Sequence, residues 1–310
     1  MNRRDFLKQG LAIGATVALG GCAGSRVSGA RAGAGRPGRP LPPGARPVLA
    51  VAEKGKPGEL TRRALDALGG IGKFVRHGQT VVIKPNLAWQ RQPEEAANTN
   101  PEVVGTLVKL CREAGASRVL VVEHTIDSPA RLVFEISGMQ AAVDEAGGEL
   151  VSAHEERAYS EIAIPGEVLK REQVIREVLT ADVFINVPIA KNHDATRLTL
   201  SMKNLMGIIY NRQGWHLSSS LHRCIAEFAA AVRPDLVVMD ANRIMLTRGP
   251  KGPGQTKDPQ AVLASTDQVA VDAYTTRYFG LQPADVEFVM LAGKLGAGQA
   301  DLGKVQIKYA

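Results

Sequence analysis

The stretch from Asp182 to Gly207, DVFINVPIAKNHDATRLTLSMKNLMG, gathers Lys191, His193 and Lys203 with Asn192 and Asn204 behind one apolar run. A histidine titrates near neutrality unaided. A lysine that is partly desolvated or held beside other cations is brought down toward the same range. Lys191 and His193 are therefore a candidate acid/base pair. The positive charge of the run points to a carboxylate or phosphate as the group it would meet. The plainer alternative for Lys203, which sits among apolar residues, is a buried stem with its ammonium reaching water.

Such residues need a frame, and the flanking sequence supplies one. The runs PVLAVAE, TVVIKPN, SRVLVVEH, ELVSA, Phe184–Val187, PDLVVMDA and AVLAST read as short strands, with VQIKY as an edge strand. Between them lie helix-periodic segments. Leu60 to Val75 is one, and a second opens at Pro101 behind Asn100 as N-cap and stops at Gly115. Others span Ser219 to Val232, Gln268 to Phe279 and Asp285 to Leu295, and a short helix is expected over Arg197–Met206. This alternation predicts an α/β fold with a mainly parallel open sheet flanked by helices, of the doubly wound type. In such sheets the ligand crevice lies beyond the carboxyl ends of the strands. Those ends carry Lys84 and Asn86, Glu123 with His124 and Asp127, Lys191 to Asp194, Asp240 with Asn242 and Arg243, and Ser265 with Asp267. A helix starting near Thr196 would add unpaired N–H groups that favour an anion.

The charge balance narrows the partners. Between Met1 and Arg46 eight basic residues face one acid, which accounts for the whole formal excess of +7 and leaves Pro47–Ala310 neutral. A neutral globular part lacks a basic footprint, so no nucleic-acid partner is expected. Residues 1–21 have the form of a twin-arginine-type export signal, with Arg3 and Arg4 before an apolar run too short for an ordinary membrane span. Leu19-Gly20-Gly21-Cys22 has the form of a lipobox, with Cys22 as the acylated residue. The expected station is extracytoplasmic, periplasmic in type, with lipidated Cys22 as the link to a membrane. Residues 22–46, rich in Gly, Ala, Arg and Pro, are expected to form a disordered linker, and residues 47–310 a single α/β domain. Beyond Cys22 only Cys111 and Cys224 remain, too few for a cysteine-ligated iron–sulfur cluster in one chain, and none is expected.

The runs IKPNL, NTNPEVV, EAGASRVLVVE, ADVFINVPIAKNH, LTLSMKNLMGI, PDLVVMDA, GPKGPG and STDQVAVDAY, in this order, resemble the domain of unknown function 362 family from Pro47 to Ala310. The resemblance implies recurrent polar positions at Lys84, Asn86, Lys191, His193, Lys203, Asn204, His222, Asp240, Asp267 and Asp272. It imports little chemistry, and the cluster module that some relatives append has no cysteines here. On these positions Lys191 and His193 would move protons. Lys84, Asn86, Lys203 and Asn204 would orient the anion, and Asp240 or Asp267 would fix the lysine or histidine. His193, His222 and Asp240 are also a candidate two-histidine, one-carboxylate set for a divalent metal, the one cofactor the residues suggest. No GxSxG elbow, P-loop or GxGxxG after the first strand is present, which weakens the hydrolase, nucleotide and dinucleotide classes. Two functions are thus expected: an enzyme of proton-transfer or isomerase type acting on a small anion, or a non-catalytic lipoprotein that binds a metal or anion for a membrane partner.

Overall fold

The computed structural model describes residues 33–38 and 45–310. Among these no helix is long and apolar enough to cross a membrane. The export signal and Cys22 lie outside the described residues. Strands β1 (Val48–Glu53), β2 (Thr80–Pro85), β3 (Arg118–Glu123) and β4 (Glu149–Ser152) alternate with helices α1 (Pro57–Ala67), α2 (Pro101–Glu113), α3 (Ala130–Ile136) and α4 (Met139–Glu145). A hairpin follows, β5 (Tyr159–Ala163) with β6 (Arg171–Ile175), and then α5 (Arg176–Thr180), β7 (Val183–Val187), β8 (Ile189–His193) and β9 (Arg197–Thr199). Helices α6 (Ser201–Asn204), α7 (Arg212–Leu217) and α8 (Leu221–Ala231) lead to β10 (Leu236–Met245), β11 (Thr256–Lys257) and β12 (Ala261–Ser265). The chain closes with α9 (Gln268–Thr275), α10 (Glu287–Lys294) and β13 (Gln306–Tyr309).

The main sheet runs β13-β1-β12-β10-β7-β2-β3-β4. Only β12 opposes its neighbours β1 and β10; the other adjacent pairs are parallel. This is the mainly parallel α/β fold expected, and the period-two alternation of its strands decides where each polar residue goes. Val81, Ile83, Val183, Ile185 and Val238 pack into the layer that holds α1 to α4. Val82, Phe184, Val237 and Met239 face the layer of α6 to α10. Lys84 follows Val82 and Asn186 follows Phe184, and the two are register partners, so a buried lysine and a buried asparagine stand side by side on the second face.

Three local expectations are corrected. The first helix ends at Ala67, because Gly69 and Gly70 adopt positive φ and a separate 3-10 turn at Ile71–Lys73 completes the expected segment. Arg197 to Thr199 is not helical: it pairs antiparallel with β8, and the helix begins only at Ser201. Residues 33–38, expected within a disordered linker, lie against the domain. Gly33 N–H donates to Glu161 O, and Arg36 forms an ion pair with Asp235 at 2.5 Å. Asn100 does cap α2, accepting from Glu102 N–H at 2.8 Å.

Candidate functional site

Lys191 and His193, expected beyond the end of the Phe184–Val187 strand, lie on a further short strand, β8. Being two apart on a strand they share a face, while Asn192 between them turns outward and hydrogen-bonds Arg197 O and Gly249 N–H. Together with Lys84, Lys203, Arg212 and His216 they surround a cavity of about 310 Å³ at the carboxyl ends of the parallel strands. Among the described residues Glu123 is the single carboxylate in its wall.

That carboxylate is already engaged. Lys84 Nζ donates to Glu123 Oε2 at 2.7 Å and to Asn204 Oδ1 at 3.2 Å, with both ion-pair partners almost wholly buried. The carboxylate also accepts from Leu87 and His124 N–H, so its charge is fully coordinated. Close approach of the backbone is part of this arrangement: a Cβ on Gly207 would stand 2.4 Å from Glu123 Oε1 and 2.6 Å from Lys84 Nζ. Three amides extend the network. Asn204 donates to Asn186 Oδ1 at 2.8 Å, Asn86 donates to Asn204 Oδ1 at 2.9 Å, and Lys191 Nζ donates to Asn86 Oδ1 at 2.9 Å and to Ala97 O. Such a chain fixes the lysine heads without leaving a buried polar atom unmatched.

The remaining positive charge is less compensated. Burial lowers Lys191 to about 7, assisted by repulsion from Lys203 and Lys84 against the attraction of Glu123. Lys203 is brought to about 7 by burial and the nearby Arg212. Its ammonium has one hydrogen-bond partner among the described residues, the sulfur of Met206 at 3.5 Å. His193 is pushed down to about 2 by burial and by Lys203, His216 and Lys191, so its ring is neutral. Its Nδ1 accepts from Ala195 N–H at 3.1 Å, which assigns the proton to Nε2 and makes the ring a donor at that atom. His216 stacks on it with centroids 5.7 Å apart and planes 8° from parallel. A small, cation-lined cavity of this kind suits an anion whose charge replaces water around the lysines.

Lys84, Asn86, Lys191, His193, Lys203 and Asn204 are thus brought together, and the other four expected residues, Asp240, Asp267, His222 and Asp272, do not line the cavity. Asp240 has the strand parity of Val238 and points to the opposite layer, where its carboxylate accepts from Asn100 and Asn242 N–H. It fixes backbone at the mouth of α2 and holds neither the lysine nor the histidine. Asp267 caps α9, accepting from Val269 and Ala270 N–H and from Gln299 N–H, in a different part of the molecule. His222 lies on α8, stacked on Phe288 and 3.9 Å from Glu287. Among the described residues no three His, Cys, Asp or Glu side chains stand together as a metal site, so His193, His222 and Asp240 do not form one. The expected helix N-terminus is also occupied from within. The N–H groups of Ser201 and Met202 donate to Asp272, a buried carboxyl raised to about 7 by desolvation. Asp272 therefore positions α6, and with it Lys203 and Asn204.

Arg212 and His216 were not singled out from the sequence. Their signal was available: four residues apart in NRQGWH, they share one side of α7. Arg212 is anchored by a bond to Thr125 O at 3.0 Å.

An open α/β sheet with a cationic crevice at its strand ends defines the class of this protein. Its fold is similar to that of the lactate racemase apoprotein from Thermoanaerobacterium thermosaccharolyticum, with a TM-score of 0.50 at 12% identity over 74% of this chain and 56% of that one. At that identity the likeness is one of fold, and this chain spans little more than half of that structure's length. The particular family follows from sequence: residues 81–277 match the family described as Domain of unknown function (DUF362), and the chain belongs to it. The thylakoid-associated protein sll1697 of Synechocystis sp. is 30% identical over 244 residues, covering 76% of this chain and 74% of that protein.

Proposed function

We propose that this protein is an enzyme that binds a small carboxylate or phosphate and moves a proton on it. One observation carries the reading: three lysines, an arginine and two histidines converge on one small cavity whose only carboxylate is already paired. In this reading Arg212 and the ammonium groups hold the anion. Lys191, near 7 and steadied by Asn86, takes or returns the proton, and neutral His193 offers its Nε2–H to the oxygen on which charge develops. The assignment rests on these side chains and not on the likeness of fold.

The test is deuterium incorporation from heavy water into a panel of small carboxylic acids and phosphate esters that carry an acidic C–H bond, followed by NMR. Wild type is expected to exchange at least one of them. Lys191→Met and His193→Phe are expected to lower the rate by about 100-fold or more with the fold retained. Undiminished exchange in both variants contradicts the assignment.

A further inference from the structure

Two buried lysines of the crevice differ in a way that the acid/base reading does not use. Lys191 spends its hydrogens on Asn86 Oδ1 and Ala97 O, which hold the nitrogen in place along β8. Lys203 has no oxygen partner among the described residues: its nitrogen, buried and on the cavity wall, faces only the Met206 sulfur. The residue is nevertheless held firmly. Asp272 fixes the start of its helix through Ser201 and Met202 N–H, and the next residue, Asn204, is tied to Asn86, Asn186 and Lys84. An amine positioned by its neighbours but free of acceptors can expose its lone pair once it loses a proton, and neighbouring cations favour that loss.

We propose that Lys203 is a nucleophile that condenses with the carbonyl carbon of a small aldehyde or ketone carrying a carboxylate or phosphate. This deepens the proposed function and rests on its anion-binding crevice. In the step, Lys203 first releases one proton. The nitrogen lone pair then forms the C–N bond while the carbonyl π pair moves to oxygen. Proton transfer from nitrogen to that oxygen gives the carbinolamine, and a further proton lets it depart as water, leaving a protonated imine. Neutral Lys203 and one proton are thus consumed with the carbonyl compound, and one water is released, with no change of oxidation level. The iminium acidifies the adjacent C–H bond, where the proton carried by Lys191 would be exchanged. Arg212 and His216, on the α7 side of the cavity, face the anionic group. Lys203 then has a chemical role distinct from orienting the anion.

The experiment is reductive trapping on the intact chain. Protein is incubated with pyruvate or with glycolaldehyde phosphate and treated with borohydride, and the product is read by intact mass and peptide mapping. The expected result is one adduct per chain, adding the mass of the carbonyl compound less one oxygen atom, on the peptide that contains Lys203. Trapping by pyruvate alone assigns a carboxylate ligand, and trapping by the phosphate compound alone assigns a phosphate. Lys203→Arg is expected to abolish the adduct, while the wild-type peptide map makes the assignment independent of that variant's folding. No adduct, or an adduct spread over surface lysines, overturns the proposal. Malonate, which has no reactive carbonyl, separates the two levels: malonate binding without trapping removes the nucleophile and keeps the anion site, and absence of both removes both.

Discussion

Replacing Lys84 by Met is expected to cost on the order of 3–5 kcal/mol of folding stability, the largest effect of any single substitution in the crevice. Lys84 and Glu123 are both nearly inaccessible to water and 2.7 Å apart. Removing the ammonium leaves a buried carboxylate that still accepts from Leu87 and His124 N–H but has lost its ion-pair partner. Burial, with a smaller push from Arg212, lowers the pKa of Lys84, and its attraction and hydrogen bond to Glu123 act in the opposite direction, so each partner depends on the other. Chemical denaturation of Lys84→Met and of the double variant Lys84→Met/Glu123→Gln checks this. The double variant, which no longer leaves the Glu123 carboxylate without its ion-pair partner, is expected to recover a large part of the loss. A Lys84→Met protein as stable as wild type would remove the ion pair from the account.

A second large effect concerns pH. Unfolded lysines titrate near their ordinary value of 10.5, whereas burial holds Lys191 and Lys203 at about 7 in the folded chain. Their folded values are depressed, so between about 7 and 10.5 the unfolded chain binds more protons than the folded one, and stability contributed by these groups rises with pH across that window. The gradient approaches the order of 1 kcal/mol per pH unit for each lysine in the middle of the window. The carboxyls act in another range. Asp240 is raised to about 6 and Asp272 to about 7 by burial, so the stability they contribute is present at acid pH and lost as pH rises through those values. Denaturation curves from pH 7 to 10 are expected to show a rising stability in wild type and a flatter profile in Lys191→Met/Lys203→Met. Parallel profiles for the two proteins would mean that the lysines titrate normally.

The sheet and its layers were legible in the chain because β-branched runs bounded by Gly and Pro alternate with helix-periodic segments, and the Asn100-Pro101 start of α2 is a purely local signal. The strand-end lysines and asparagines were legible for the same reason, since a parallel sheet sends every strand end to one edge. What was not legible depends on parity and on partners far apart in sequence. Asp240 and Lys84 were both expected at strand ends, yet β10 runs on to Met245 and side-chain alternation sends the two to opposite faces. Asp267 and Asp272 look alike in STDQVAVD; one caps its own helix, while the other reaches back to Ser201 across 71 positions. Arg197–Thr199 has helical spacing by composition, but pairing with β8 overrides it, as tertiary context commonly overrides local propensity. Arg212 and His216 enter the crevice only because α7 folds back over the strand ends.

At the heart of the proposed function is an anion site made of lysines poised to titrate. Calorimetric titration with malonate, fully ionised throughout, at pH 7 and pH 9 in buffers of different ionisation enthalpy, tests it most directly. Binding at pH 7 is expected to come with net proton uptake, to weaken by about tenfold or more at pH 9, and to lose that pH dependence in Lys191→Met/Lys203→Met. An affinity that is the same at both pH values, with no proton taken up, would contradict it.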